Sequence, residues 1–335
     1  MKVGLDVFTI REYRLNPIET LDFIKAHGLD GAQFGSLKSL SKSLDEWELR
    51  AIKAHADNLE LYMHVSVSCA NPHAVRGSLE EHTKTLKREI ELCGLLGFRD
   101  VHTTLGSEQD RLHGKIPWKQ QLSDSVEYIR SLAPLLRDCG VRLALEDHGD
   151  ATTFELVRII EELGDDVVSI CLDTANVLVN LEDPLAAARR AAPYVRLTHA
   201  KDAILYFGPS GLERQVRPAG LGAVPWLELL AVLGAHYREL TLSIEDHKEM
   251  PYTPELVSYT LPIYDPGWLA HYPDLTPAEL ASLVRTAYEC QRRIDRGEMA
   301  PPSAYGQDWI KGGEARLRQS RDYLNGVVQE LALAG

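Results

Sequence analysis

Apolar runs of strand length recur eight times along this chain, with helix-patterned segments between them. They cover residues 2–7, 29–34, 60–67, 98–104, 141–146, 168–173, 194–199 and 240–245. Most are nearly continuous in apolar residues, as strands covered on both faces are. The intervening segments carry helix boundary signals. Asn16-Pro17 places a cap and a first-turn proline before 18–26, with Gly28 at the stop. Ser78-Leu79-Glu80-Glu81 opens a helix that runs to Gly97. Eight strand–helix repeats predict an α/β chain folded as a (β/α)8 TIM barrel. The competitor is an open doubly wound sheet, but no Gly-x-Gly-x-x-Gly follows the first run.

Four successive runs end in metal-ligand residue types: Leu145-Glu146, Leu172-Asp173, Thr198-His199 and Ile244-Glu245. The tripeptide Glu-Asp-His stands at two of these ends, Glu146-Asp147-His148 and Glu245-Asp246-His247. Taken singly, each residue reads as an ordinary salt bridge or helix cap. In a parallel barrel, however, the carboxyl ends of neighbouring strands converge on one rim, and Glu146, Asp173, His199 and Glu245 reach one divalent cation there. Carboxylate oxygens with one imidazole nitrogen suit Mn²⁺ foremost, and Mg²⁺, Co²⁺ or Zn²⁺ as well. Side chains alternate along a strand, so Glu146 and His148 project together while Asp147 points oppositely.

Composition narrows the partners. A net charge of −13 repels phosphate polymers, so nucleic acid and anionic membrane are poor partners. No apolar stretch approaches the ~18 residues that span a bilayer. The first residues, Met1 to Asp6, read as a strand and carry no signal-peptide profile. Five widely spaced cysteines without Cys-x-x-Cys predict free thiols in a reducing, cytoplasmic compartment. The expected division is a barrel over 1–247 and a C-terminal extension over 248–335. That extension opens with a Pro- and Tyr-rich stretch (248–275), followed by helical patterns near 276–296 and 312–333. It is expected to pack on the barrel as a lid or as a subunit interface.

These motifs carry a resemblance. Leu-Glu146-Asp-His-Gly, Cys-Leu-Asp173-Thr-Ala-Asn, Thr-His199-Ala-Lys-Asp, Glu245 and the Arg217-Pro-Ala-Gly-Leu-Gly loop resemble the xylose-isomerase-like TIM barrels of the sugar phosphate isomerase/epimerase superfamily. The resemblance covers about residues 1–245. It implies that Glu146, Asp173, His199 and Glu245 hold one metal, and that Glu146 and Glu245 exchange protons with a sugar or keto-sugar. Enediolate chemistry of the isomerase or epimerase type follows from that.

Two positions depart from the family pattern. Many sugar epimerases carry a histidine where this chain has Asn176, and His148 is a titratable group they lack. His148 reads as a general base or as a partner orienting a carboxylate. Both departures point toward a lyase that starts from the same enediolate and expels a β-leaving group. Inosose dehydratases, and the catalytic subunit of enzymes cleaving 3-keto C-glycosides, are relatives of that kind. The latter imply a small second subunit; otherwise a homo-oligomer is expected. Lys201 reads as a contact to substrate oxygen or as one half of a Lys-Asp pair pinning the loop. Arg217, His64 and His102 are further candidates for the substrate pocket. A DNA-repair barrel of the endonuclease IV type would need more ligands and a basic groove. A non-catalytic sugar-binding barrel would bind sugar without a metal.

Overall fold

The computed structural model describes residues 1–246, 258–304 and 309–334, the last helix in side-chain detail from 313 to 333. His247, Pro251, Tyr252 and Pro254 lie outside the described residues. Eight parallel strands form the barrel: β1 (Lys2–Asp6), β2 (Gly31–Phe34), β3 (Tyr62–Val65), β4 (Asp100–Thr103), β5 (Arg142–Glu146), β6 (Val168–Asp173), β7 (Val195–Ala200) and, after two strands of a second sheet, β10 (Thr241–Ile244). Each coincides with one expected run. The hydrogen-bonded order β3-β2-β1-β10-β7-β6-β5-β4 is nearly a closed ring, and a single parallel bridge from Ser66 to His102 joins its two ends.

Alternation decides what the ring encloses. Ala144, Cys171 and Leu197 form an isolated apolar cluster of their own. Each lies two residues before a rim residue, Glu146, Asp173 or His199, so these three point the same way from adjacent strands. Further round, Tyr62 fills the interior because Gly4 and Gly31 give it room; a Cβ at either would collide with its ring.

The helices lie outside, stopped and started as the local chemistry requires. Asn16 accepts from the Glu19 amide at 3.0 Å while Glu19 accepts from the Asn16 amide at 2.9 Å, which caps the helix Pro17–Ala26. The helix Leu79–Leu96 begins at Ser78 and ends at Gly97, whose left-handed φ of 79° favours glycine. The apolar faces of such helices and the outward residues of the strands build one large core.

The structure departs from expectation after β7. The chain turns into a hairpin, β8 (Asp202–Gly208) and β9 (Gly211–Arg217), and β11 (Ser258–Leu261) adds to β9 in antiparallel register. This three-stranded sheet, the loop near 175–181 and the segment 261–287 bury a second apolar core around Leu178, Leu205, Leu212, Tyr272 and Leu283. We call this unit the cap. The final helix, Trp309–Ala334, contributes Leu317, Leu324 and Val327 to the barrel core. The last helix thus packs on the barrel, while the cap draws on the hairpin after β7 and on residues 258–287.

Candidate metal centre

Glu146, Asp173, His199 and Glu245 converge, all buried, with one ligand atom from each lying within 4.8 Å of the others. Asp173 and His199 are register partners on β6 and β7, which sets them side by side. His199 Nδ1 lies 3.0 Å from Glu146 Oε1 and 3.1 Å from Glu245 Oε2. Asp173 accepts the backbone amides of Ala175 and Asn176 on Oδ1, and Lys201 Nζ sits 2.5 Å from its Oδ2. The same ammonium is 3.0 Å from Glu245 Oε2.

This donor set fits a divalent cation. Lys201 offsets part of the charge of the three buried carboxylates, and a divalent cation among the four side chains would offset the rest. The imidazole also presents the right face. His199 Nε2 lies 2.5 Å from the Gln33 amide nitrogen, while the Gln33 carbonyl oxygen has no partner. Turning that amide end for end places its oxygen against Nε2–H and leaves the Nδ1 lone pair facing the two glutamates. A second residue holding the far nitrogen of a ligating histidine is the usual arrangement in metal sites. Sequence reasoning passed over Gln33 and also Asp6, whose Oδ2 is 3.7 Å from His199 Nε2. Both are lone polar residues at inward positions of apolar strands, and that is the signal which could have found them.

The remaining candidates separate by position. His102 joins the centre: its Nε2 is 2.7 Å from Glu146 Oε2, and its Nδ1 is 2.7 Å from Ser66 Oγ. Asn176 joins it too, with Nδ2 at 3.4 Å from Glu146 Oε1 and Oδ1 at 3.4 Å from Lys201 Nζ. Lys201 and Asp202 do not form a pair. Lys201 points into the site, whereas Asp202 accepts from the amides of Gly220, Gly222 and Val224 and from the Trp226 indole, wrapping the glycine-rich loop around itself. His148 stands exposed just above Glu146, and among the described residues its ring makes no hydrogen bond. His64 is elsewhere, 3.0 Å from Thr241 at the opposite end of β10 from Glu245. Arg217 also faces away, donating to the Ala300 carbonyl at 3.2 Å.

Burial and neighbours set the charges. Burial alone would raise the Glu146 carboxyl, but the imidazoles of His199, His148 and His102 hold it well below the usual range. Burial works against His199, yet Cys171, Glu146 and Glu245 lift it well above. His148 is likewise raised, because Glu146 and Asp150 outweigh desolvation. Asp147 turns away as alternation requires; burial and the Asp173 charge raise its carboxyl, which accepts the Asp173 amide at 2.8 Å.

The xylose isomerase-like TIM barrel family model matches residues 21–260. The chain belongs to that family. A curated relative, the uncharacterized protein YihM of Escherichia coli (strain K12), is 27% identical over 232 residues, which are 67% of this chain. The chain spans only 64% of that relative's length. Among solved structures, D-psicose 3-epimerase from Clostridium cellulolyticum H10 shares 17% identity at a TM-score of 0.60, covering 86% of this chain and 99% of that one. The probable 3-DHS dehydratase AsbF of Bacillus anthracis shares 15% at 0.57, covering 73% and 92%. Among the described residues, no helix is long and apolar enough to cross a membrane.

Proposed function

We propose that the chain is a divalent-metal-dependent enzyme that removes a proton beside the carbonyl of a sugar or keto-sugar and returns it, as isomerases and epimerases do. The convergence of Glu146, Asp173, His199 and Glu245 carries this reading. A divalent ion, Mn²⁺ first among those suited to three oxygens and one nitrogen, supplies Lewis acidity that makes the neighbouring C–H acidic. The side chains do the rest. Glu146 and Glu245 come from strands on either side of His199 and both reach its Nδ1, so two carboxylates are at hand for proton exchange with a substrate bound at the centre. Glu146 is held ionised, the state a proton acceptor needs, and His102 fixes its second oxygen. Asn176 offers a neutral donor to a substrate hydroxyl, while Lys201 holds the Asp173 and Glu245 carboxylates beside it.

The second reading is a lyase that expels a β-leaving group after the same proton removal. His148 favours it, because a raised imidazole at the open rim can hand a proton to a departing oxygen. The probable dehydratase among the structural neighbours supports this reading by fold alone. Incubating metal-loaded protein with a ketose, an inosose and a 3-keto-glycoside in deuterated water separates the cases. Deuterium on carbon without loss of a group identifies the isomerase, and release of water or an aglycone the lyase. Metal-independent sugar binding with neither outcome leaves a non-catalytic barrel.

A further inference from the structure

Arg214 is buried without an anion. It lies on β9 with 1% of its surface exposed, and among the described residues its Nε and Nη1 have no hydrogen-bond partner. Its Nη2 reaches only Asn176 Oδ1, at 3.5 Å. The Tyr259 ring lies 4.9 Å from the guanidinium carbon. Two other arginines of the cap region show how this chain ordinarily treats such a charge. Arg111 Nη1 is 2.7 Å from Glu155 Oε2, and Arg190 is 2.6 Å from Glu182 and 2.7 Å from Glu279. Among the described residues no carboxylate stands within ion-pair distance of Arg214. A guanidinium taken out of water with open donors is expensive, and a protein keeps one when something binds to it.

Its position says what that something belongs to. Asn176, which Arg214 touches, also contacts Glu146 and Lys201, so one residue separates the guanidinium from the metal ligands. Strand alternation turns Arg214 toward that site and Arg217, three residues on, toward Ala300. Asp173, Glu245 and Glu108 act on Arg214 only at long range, against a burial that lowers its affinity for its proton.

We propose that Arg214 binds a carboxylate of the substrate, which makes the natural ligand a sugar acid: a uronate, aldonate or keto acid of that class. The proposal rests on the metal-dependent sugar chemistry argued above. A flat monoanion matches one edge of a guanidinium through two parallel hydrogen bonds. A phosphate dianion fits less well, because Glu146, Asp173, Glu245 and Glu108 already make the surroundings negative and Lys201 is committed to two of them.

Calorimetry on the metal-loaded, full-length protein tests this with matched ligands. D-glucuronate, D-galacturonate and D-gluconate are compared with D-glucose, D-galactose and D-glucitol, and with glucose 6-phosphate. At least one acid should bind about ten- to a hundredfold more tightly than its neutral counterpart, the scale of a charged hydrogen bond. Arg214→Gln should erase that preference, leave neutral-sugar binding and metal content unchanged, and be partly rescued by Arg214→Lys. Equal binding of acid and neutral sugar by the unaltered protein overturns the Arg214 proposal and leaves the metal chemistry standing, and this comparison needs no variant to fold. Tighter binding of the phosphate overturns the carboxylate. Binding by no sugar at all overturns both readings.

Discussion

The barrel and the cap solve opposite packing problems. The barrel surrounds its strands with Leu, Ile and Val and gathers its ligand-type side chains in an inward layer at the rim. The cap has a small apolar core and meets the barrel helices through buried charge, with Arg111 donating to the His271 carbonyl and Arg190 paired with Glu279. A rigid apolar frame holds four ligand side chains in register. A polar, adaptable cover is where recognition of a particular substrate can be written. Under the proposed function, chemistry falls to the strand ends and selectivity to the inserted sheet.

The largest effect should come from the barrel side of that divide. Asp173→Ala and His199→Ala are expected to abolish turnover and strip the metal, and Glu146→Gln and Glu245→Gln to abolish turnover. Elemental analysis after dialysis reads the first pair directly. Full metal occupancy in Asp173→Ala would sink the assignment of the centre, whereas cap variants such as Arg214→Gln should keep their metal.

His148 stands exposed at the rim, beside Glu146. Replacing it with Gln should lower kcat by about a hundredfold, the scale of a general acid or base, and leave the metal bound. Unchanged turnover makes His148 a bystander and leaves proton transfer to the glutamates.

The barrel was legible because both faces of most strands are covered, so they appear as nearly continuous apolar runs in the sequence. The rim was legible because ligand types ended four of those runs in succession. The cap was not. Its hairpin alternates Ala203, Leu205 and then Leu212, Arg214, Val216, so a buried arginine occupies a position where alternation expects an apolar residue. The turn signal Gly208-Pro209-Ser210-Gly211 was present, but it pointed to a loop as readily as to a hairpin. The last helix was legible as a pattern, but nothing in Leu317, Leu324 and Val327 says which core receives them. Long-range packing decides that.

Two histidines carry the comparison into pH. His148 at the rim is raised by carboxylates, whereas burial pushes His64 inside the barrel down to about 4. For His64 both folded and unfolded chains are neutral above pH 6.5, so it has no effect there. Between pH 6.5 and about 4 the unfolded chain takes up a proton that the folded chain refuses, and stability falls as pH drops. The loss amounts to about 3 kcal/mol at the acid end, at 1.36 kcal/mol per unit. Denaturant unfolding from pH 7.5 to 4 should show a steeper decline for the natural chain than for His64→Gln. Parallel declines would remove His64 from the account.

The smallest expected signal comes from the cap itself. Trp268 packs half-buried in the second core with its ring 4.9 Å from Tyr272, and Tyr272 in turn lies 4.6 Å from the Arg111 guanidinium. The Arg111 Nη2 group donates to the His271 carbonyl at 2.6 Å, so the segment bearing Trp268 is tied to the loops above the rim. A substrate that orders the cap should therefore change the environment of this indole slightly. Fluorescence of the metal-loaded protein titrated with the sugars above should shift, and Trp268→Phe should remove the shift with little loss of thermal stability. If this face is instead a subunit interface, the signal will follow protein concentration and ignore the sugar. A signal that follows neither leaves the cap as rigid as the barrel, and the selectivity assigned to it must then rest on fixed side chains, with Arg214 first among them.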